Sequence, residues 1–183
     1  NVKVRNLYIL WMKNSEFRDY FKRLSETLDK VDTDAIEKLA GMLMNAREQG
    51  NTIFIFGNGG SGATASHVTG DFLKGISYQL EKRFRIHCLN DNDSGMMAIS
   101  NDLSYEEIFI EQLKAFLRKD DLVIGISGSG NSANVVKAIQ YARAEGAKTV
   151  AFCGYKGGKI RELADHVIHA PVQDMEITED VHI

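Results

Sequence analysis

Residues 53–67 read IFIFGNGGSGATASH, and residues 122–132 read LVIGISGSGNS. Each stretch is a short run of aromatic and β-branched residues that leads directly into a loop of glycine and serine, followed by a segment compatible with a helix. The apolar runs show no polar alternation, which is typical of a parallel strand buried on both faces. Two copies of this strand–loop–helix unit predict an α/β fold.

Further strands are predicted for residues 85–89, 149–153 and 166–169, with helical patterns at 105–117 and 131–145 between them. This alternation predicts a three-layer α/β/α sandwich built on a five-stranded parallel sheet. Apolar residues at helical spacing, including Leu10, Trp11 and Phe17, predict an N-terminal helical arm over residues 1–31. The remaining residues, 32–183, are predicted to form one domain, whose first helix is capped by Asp32 or Thr33.

The composition is that of a globular protein with its own core: 183 residues, 44% hydrophobic and 26% charged. The formal charge is -3 and no block of basic residues occurs, so general binding to nucleic acid or to a membrane surface is not expected. No apolar stretch is long enough for a spanning helix. Cys88 and Cys153 each end an apolar run, which favours buried reduced thiols and a cytoplasmic protein.

The two glycine–serine loops have the composition of an anion-binding site. A loop between a parallel strand and a helix presents backbone N–H groups and the positive end of the helix dipole, and Ser127, Ser129 and Ser132 add three hydroxyls on a glycine-rich frame. The alternative is that glycine and serine simply form tight turns. A nucleotide cofactor is not expected, because the G-x-G-x-x-G of the first loop lacks the acidic residue about 20 positions later.

The stretches GNGGSGATASH and GISGSGNSANVVKAI, together with the C-terminal EDVHI, resemble the sugar isomerase (SIS) domain and, more narrowly, the phosphoheptose isomerases. The similarity runs from about residue 32 to the end. It implies the SIS fold and aldose–ketose isomerisation of sedoheptulose 7-phosphate to a heptose 7-phosphate through an enediol, in heptose biosynthesis. It also implies a homo-oligomer, dimer or tetramer. The alternative is a non-catalytic SIS module that binds a phosphosugar or docks on a protein.

The resemblance also implies roles for individual residues. The second loop would hold the sugar phosphate through its three serines and through the backbone of Gly128, where the family often has threonine. The first loop and the segment after the second strand would contact the sugar, through Asn58, Gly59, Ser61 and Asn92, with Asp91 one register step away.

Titratable residues follow the first loop. His67 and Asp71 are four residues apart, so a helix would place them on one face; a solvated ion pair is the alternative. The resemblance puts Asp71 where the family has a catalytic glutamate and Glu179 where it has a glutamine. Asp71 or Glu179 is therefore the implied base, and His67, Asp71 and Glu179 are the implied ligands of a possible Zn²⁺. His182 matches a non-catalytic histidine, and the family's catalytic histidine would fall beyond Ile183.

Overall fold

The computed structural model describes residues 14–183, so the predicted contacts of Leu10 and Trp11 lie outside the described residues. Its strands and helices alternate as the sequence indicates. The elements, in chain order, are α1 (Asn14–Leu28), α2 (Thr33–Gln49), β1 (Thr52–Gly57), α3 (Gly60–Gly70), β2 (Arg85–Cys88), α4 (Asp93–Asp102), α5 (Ile110–Phe116), β3 (Leu122–Ser127), α6 (Ala133–Ala144), β4 (Lys148–Cys153), α7 (Gly158–Leu163), β5 (His166–His169) and α8 (Met175–His182).

The five strands form one parallel sheet in the order β2-β1-β3-β4-β5, which confirms the predicted sheet. The chain moves outward in one direction from β1 to β2, and in the other direction from β3 through β5. Connections from β1 and β3 therefore leave toward opposite faces and open a crevice between the carboxyl ends of these strands. Open α/β sheets bind their ligands at this switch point.

Two apolar clusters cover the two faces of the sheet. Phe54 and Phe56 point to one face, where Phe56 stacks on Phe109 with ring centroids 4.7 Å apart. Ile53 and Ile55 point to the other. Because both faces are buried, β1 and β3 contain almost no polar residues. The core fixes the strand ends, and with them the loops that follow.

The local signals at the helix ends act as the sequence predicts. The Asp32 side chain accepts hydrogen bonds from the N–H groups of Asp34 and Ala35, so Asp32, and not Thr33, caps α2. Gly50 ends this helix in the left-handed conformation, with φ of 73°. The residues after α3 continue as a π-helical turn, Asp71–Ile76.

Three helical features differ from the sequence prediction. The predicted helix 105–117 is divided into a 3₁₀ turn, Tyr105–Glu107, and α5. Helices α4 and α7 were not predicted, because both are short and begin near glycines.

Cys88 and Cys153 are unbridged and buried, as predicted, and burial raises the pKa of each thiol to about 11. A raised pKa keeps a thiol protonated and unreactive at neutral pH. Among the described residues, no helix is long and apolar enough to cross a membrane.

Candidate active site

The loop after β1 borders a cavity of about 450 Å³ at the carboxyl end of the sheet. Glycines of the loop form one wall, and α4 with the following 3₁₀ turn forms the other. The lining residues are Gly57, Asn58, Gly59, Asn90, Asp93, Met96, Met97, Ser100, Tyr105 and Ile108. The cavity has the size and position of a small-molecule site, and two predicted sugar-binding residues, Asn58 and Gly59, line it.

Asn58 connects the two halves of the crevice. Its side-chain amide forms a reciprocal pair with that of Asn134 in α6: Asn58 Nδ2 donates to Asn134 Oδ1 over 2.8 Å, and Asn134 Nδ2 donates to Asn58 Oδ1 over 2.9 Å. The hydroxyl of Tyr105 also donates to Asn58 Oδ1, over 2.9 Å. Asn134 is 2% exposed, so the pair is anchored in the protein interior.

The serine loop after β3 is compact. The hydroxyls of Ser127 and Ser132 lie 3.1 Å apart, and the N–H of Asn131 donates to Ser129 Oγ over 3.2 Å. Ser127 is buried, whereas Ser129 and Ser132 are half-buried. The structure thus brings the hydroxyls of Ser127 and Ser132 together and places Ser129 in the same loop.

Helix α8 lies across both loops. A Cβ atom added to Gly60 would come within 2.6 Å of the carboxylate of Glu179, so that carboxylate rests on the first residue of α3. A Cβ added to Gly128 would lie 2.5 Å from Sδ of Met175. The space that a side chain would need at position 128 is therefore filled by a methionine from α8, which gives a steric reason for glycine there.

Gly128→Thr should lower the free energy of unfolding by about 1 kcal/mol, the low end for overpacking, because the new side chain overlaps only the flexible end of Met175. Met175 is 37% exposed and removing its side chain opens the space, so Gly128→Thr should cost little when it is introduced into Met175→Ala. Urea titration of the unmodified protein, the two single variants and the double variant measures how far the cost of Gly128→Thr depends on Met175. Equal costs of Gly128→Thr in both backgrounds would show that Met175 does not determine the residue at 128.

His67, in the last turn of α3, and Asp71, the first residue of the π-helical turn that follows, lie side by side, as their spacing predicts. His67 Nε2 is 3.2 Å from Asp71 Oδ2, and the two side chains are 60% and 66% exposed. They stand near the C-terminal end of α3, whereas Glu179 rests on its N-terminal end. At 1.5 Å per residue, the backbones of residues 60 and 71 are about 16 Å apart along the helix. The Asp71 side chain and the Glu179 carboxylate, which comes from α8, therefore lie at opposite ends of α3.

The residues of one copy do not fit a zinc site. Within residues 14–183, no group of three or more His, Cys, Asp and Glu side chains is close enough to hold a metal ion. His67 and Asp71 supply two ligands. Glu179 of α8 contacts the opposite, N-terminal end of α3 and is too far from this pair to be the third. A structural or catalytic zinc needs at least three protein ligands, so we derive no chemical step through a metal.

Asn92, the predicted sugar contact, is not among the residues that line the cavity. Its Oδ1 accepts from the N–H of Gly95 over 3.2 Å and caps α4, and its Nδ2 donates to Gln112 Oε1 over 3.3 Å. Asn90 takes its place at the wall of the cavity and donates to the carbonyl of Gly57 over 2.8 Å. Ser61 is 5% exposed, in the first turn of α3. Sequence reasoning did not find Asn90, Tyr105 or Asn134.

Known proteins match most of the chain. The family model described as the SIS domain matches residues 16–154. A probable phosphoheptose isomerase of Thermoplasma volcanium is 36% identical over 175 residues, which cover 96% of this chain and 89% of that protein. The chain belongs to the phosphoheptose isomerase family of SIS-domain proteins. A phosphoheptose isomerase of Aliarcobacter butzleri is 37% identical over 176 residues, 94% of this chain and 92% of the relative.

Solved structures of phosphoheptose isomerases have the same architecture. Those from Francisella tularensis and Neisseria gonorrhoeae each superpose with a TM-score of 0.83, at 25% and 27% identity. Each alignment covers 92% of this chain and 89% of the solved one. The five-stranded parallel sheet and its flanking helices are therefore the SIS fold predicted from the loop motifs.

Proposed function

We propose that this protein is an aldose–ketose isomerase that interconverts sedoheptulose 7-phosphate and D-glycero-D-manno-heptose 7-phosphate. The observation that carries the proposal is that two neighbouring strands at the switch point of a phosphoheptose isomerase fold end in a cavity of about 450 Å³, beside the loop after β1, and in a compact serine loop, after β3. The serine loop suits a phosphate, and the cavity suits a sugar chain. Relatives that cover nearly the whole chain are phosphoheptose isomerases by name.

The proposed reaction moves one proton between neighbouring carbons. A carboxylate removes the proton from the carbon next to the carbonyl, the electron pair forms the double bond of an enediol, and the carbonyl oxygen takes up a proton. Return of a proton to the other carbon, with loss of the hydroxyl proton there, gives the isomer. Asp71 and Glu179 are the candidate bases, and no redox partner is needed because the reaction is internally balanced.

We propose that the complete site forms in a homo-oligomer, a dimer or a tetramer. The separation of Asp71 and Glu179 along α3 supports this, because a second copy can bring its own carboxylate to the exposed His67–Asp71 pair. The apolar side chains Phe17 and Phe21 of α1 are 46% and 66% exposed, which favours a covered surface. Zinc, if used, would need ligands from such a partner. Two unbridged cysteines support a cytoplasmic site for the reaction.

The test is isomerisation of sedoheptulose 7-phosphate in D₂O by the protein at a concentration where light scattering shows an oligomer. Formation of the aldoheptose phosphate, with deuterium incorporated at the carbon that receives the proton, supports the proposal. Tight binding of phosphosugars without exchange or conversion would contradict it and would favour a non-catalytic SIS module.

Ser129→Ala should weaken binding of sedoheptulose 7-phosphate by about 1 to 3 kcal/mol, because one donor to a charged oxygen is lost. Binding of unphosphorylated sedoheptulose should change little. Calorimetry with both sugars, and with Ser25→Ala on the exposed surface of α1 as the control, measures the difference. An equal loss for both sugars would show that Ser129 does not contact the phosphate.

A further inference from the structure

The side-chain amide of Asn58 has a fixed hydrogen-bonding polarity. An amide oxygen has two lone pairs and an amide nitrogen two hydrogens. Both lone pairs of Asn58 Oδ1 are used, one by Asn134 Nδ2 and one by the Tyr105 hydroxyl, and one hydrogen of Asn58 Nδ2 is used by Asn134 Oδ1. One N–H of Asn58 remains for a ligand in the cavity that Asn58 lines.

The backbone of α6 determines this polarity. The N–H of Val135 donates to Asn134 Oδ1 over 2.9 Å. A backbone N–H can only donate, so the oxygen of the Asn134 amide must face it and the nitrogen must face Asn58. The reciprocal pair then requires Asn58 to present its oxygen to Asn134 Nδ2. A flipped Asn58 would oppose nitrogen to nitrogen and oxygen to oxygen, which leaves buried groups without partners.

The same helix contacts the turn that carries Tyr105. Lys137 of α6 forms ion pairs with Glu106 and Glu107, at 2.7 and 2.8 Å, and both glutamates belong to the 3₁₀ turn that begins at Tyr105. Asn134 and Lys137 are three residues apart on α6 and so lie on one side of it. One helix thereby orients the Asn58 amide directly and contacts the turn whose tyrosine occupies the second lone pair of Asn58 Oδ1.

We propose that Tyr105 is a positioning residue that, with Asn134, makes Asn58 an obligatory hydrogen-bond donor to an oxygen of the bound sugar. This inference rests on the proposed function and specifies how the site recognises its substrate. A donor fixed in this way favours a carbonyl or enediolate oxygen, which can only accept, and its bond strengthens as negative charge develops on that oxygen. Tyr105 acts through Asn58 and need not contact the substrate.

The inference is tested with Asn58→Asp, Asn58→Ala and Tyr105→Phe, and with Tyr105→Phe combined with Asn58→Ala. Asn58→Asp keeps the shape but cannot donate, so it should weaken sedoheptulose 7-phosphate binding at least tenfold and leave inorganic phosphate binding within twofold. Tyr105→Phe should reduce sugar phosphate affinity and kcat/KM about three- to tenfold. The same change in the Asn58→Ala background should have no effect, because the residue through which Tyr105 acts is gone.

Tyr78→Phe is the matched control. Tyr78 is 65% exposed against 56% for Tyr105, and it lies in the segment between α3 and β2. The Tyr78→Phe variant should bind sedoheptulose 7-phosphate and isomerise it as the unmodified protein does. Equal effects of Tyr105→Phe with and without Asn58, or unchanged sugar phosphate binding by Asn58→Asp, would overturn the inference. Calorimetry reads these outcomes without turnover, so failure of the isomerase assay alone contradicts the proposed function and not this inference.

Discussion

Replacing Asp71 by asparagine should lower kcat by about 100- to 10,000-fold, the usual contribution of a general base. Asparagine keeps the size of the side chain and its contact with His67 but cannot accept the substrate proton. Affinity for sedoheptulose 7-phosphate should stay within about threefold, because the phosphate site proposed above is the serine loop and Asp71 is not part of it. A loss in kcat without a loss in binding is the signature of an interaction made in the transition state.

Steady-state kinetics and calorimetry on the same preparations check this expectation. Asp29→Asn, an exposed change beyond the end of α1, is the control and should behave as the unmodified protein. Asp71→Glu lengthens the side chain by one methylene and should retain activity, since a carboxylate is still present. If Asp71→Asn keeps full turnover, Glu179 becomes the remaining candidate base.

Acid should destabilise the fold through His182. The ring is 7% exposed, lies 5.7 Å from the ring of Phe152, and neither nitrogen has a hydrogen-bond partner among the described residues. Burial is the main reason that the pKa of His182 is lowered from 6.5 to about 4; the backbone of Cys153 opposes this shift, and the charge of the nearby His169 adds to it. Between pH 6.5 and 4 the unfolded chain binds a proton at this residue that the folded protein does not, so stability falls as the pH falls.

The expected loss between pH 7.5 and pH 4.5 is about 2 to 3 kcal/mol in the free energy of unfolding. The variant His182→Phe keeps an aromatic ring in the same apolar place and removes the titration. Urea titrations at both pH values should therefore show a smaller loss for His182→Phe than for the unmodified protein. A second variant, His182→Leu, guards against misfit of the phenyl ring. Parallel pH profiles for all three proteins would refute the role of His182.

The sheet and its two loops were predictable because their signals are local. Buried strands of six residues, glycine–serine turns and the four-residue spacing of His67 and Asp71 are all contained in short stretches of sequence. The cysteines were predictable for the same reason, since each ends an apolar run. These features depend on the chain within about one turn or one strand of the residue concerned.

The contacts that organise the cavity were not predictable, because they join residues far apart in the chain. Asn58 and Asn134 are separated by 76 positions, and Asn58 and Tyr105 by 47. Nothing around Tyr105 indicates that its hydroxyl reaches the first loop. That Asn90 lines the cavity while Asn92 caps α4 was not predictable either, because a polar run after a strand does not reveal which side chain caps the next helix.

The position of α8 across the strand-end loops has a consequence for the order in which the protein assembles. Helix α8 follows all five strands in the chain, and it pairs with α1 through contacts of Asp180 with Tyr20 and of Asp174 with Arg23, which are 160 and 151 positions apart. Contacts of such sequence separation close late in folding. During synthesis on the ribosome, the sheet can form before α8 has been made. The crevice is therefore complete only after Glu179 and Met175 have packed against the two loops.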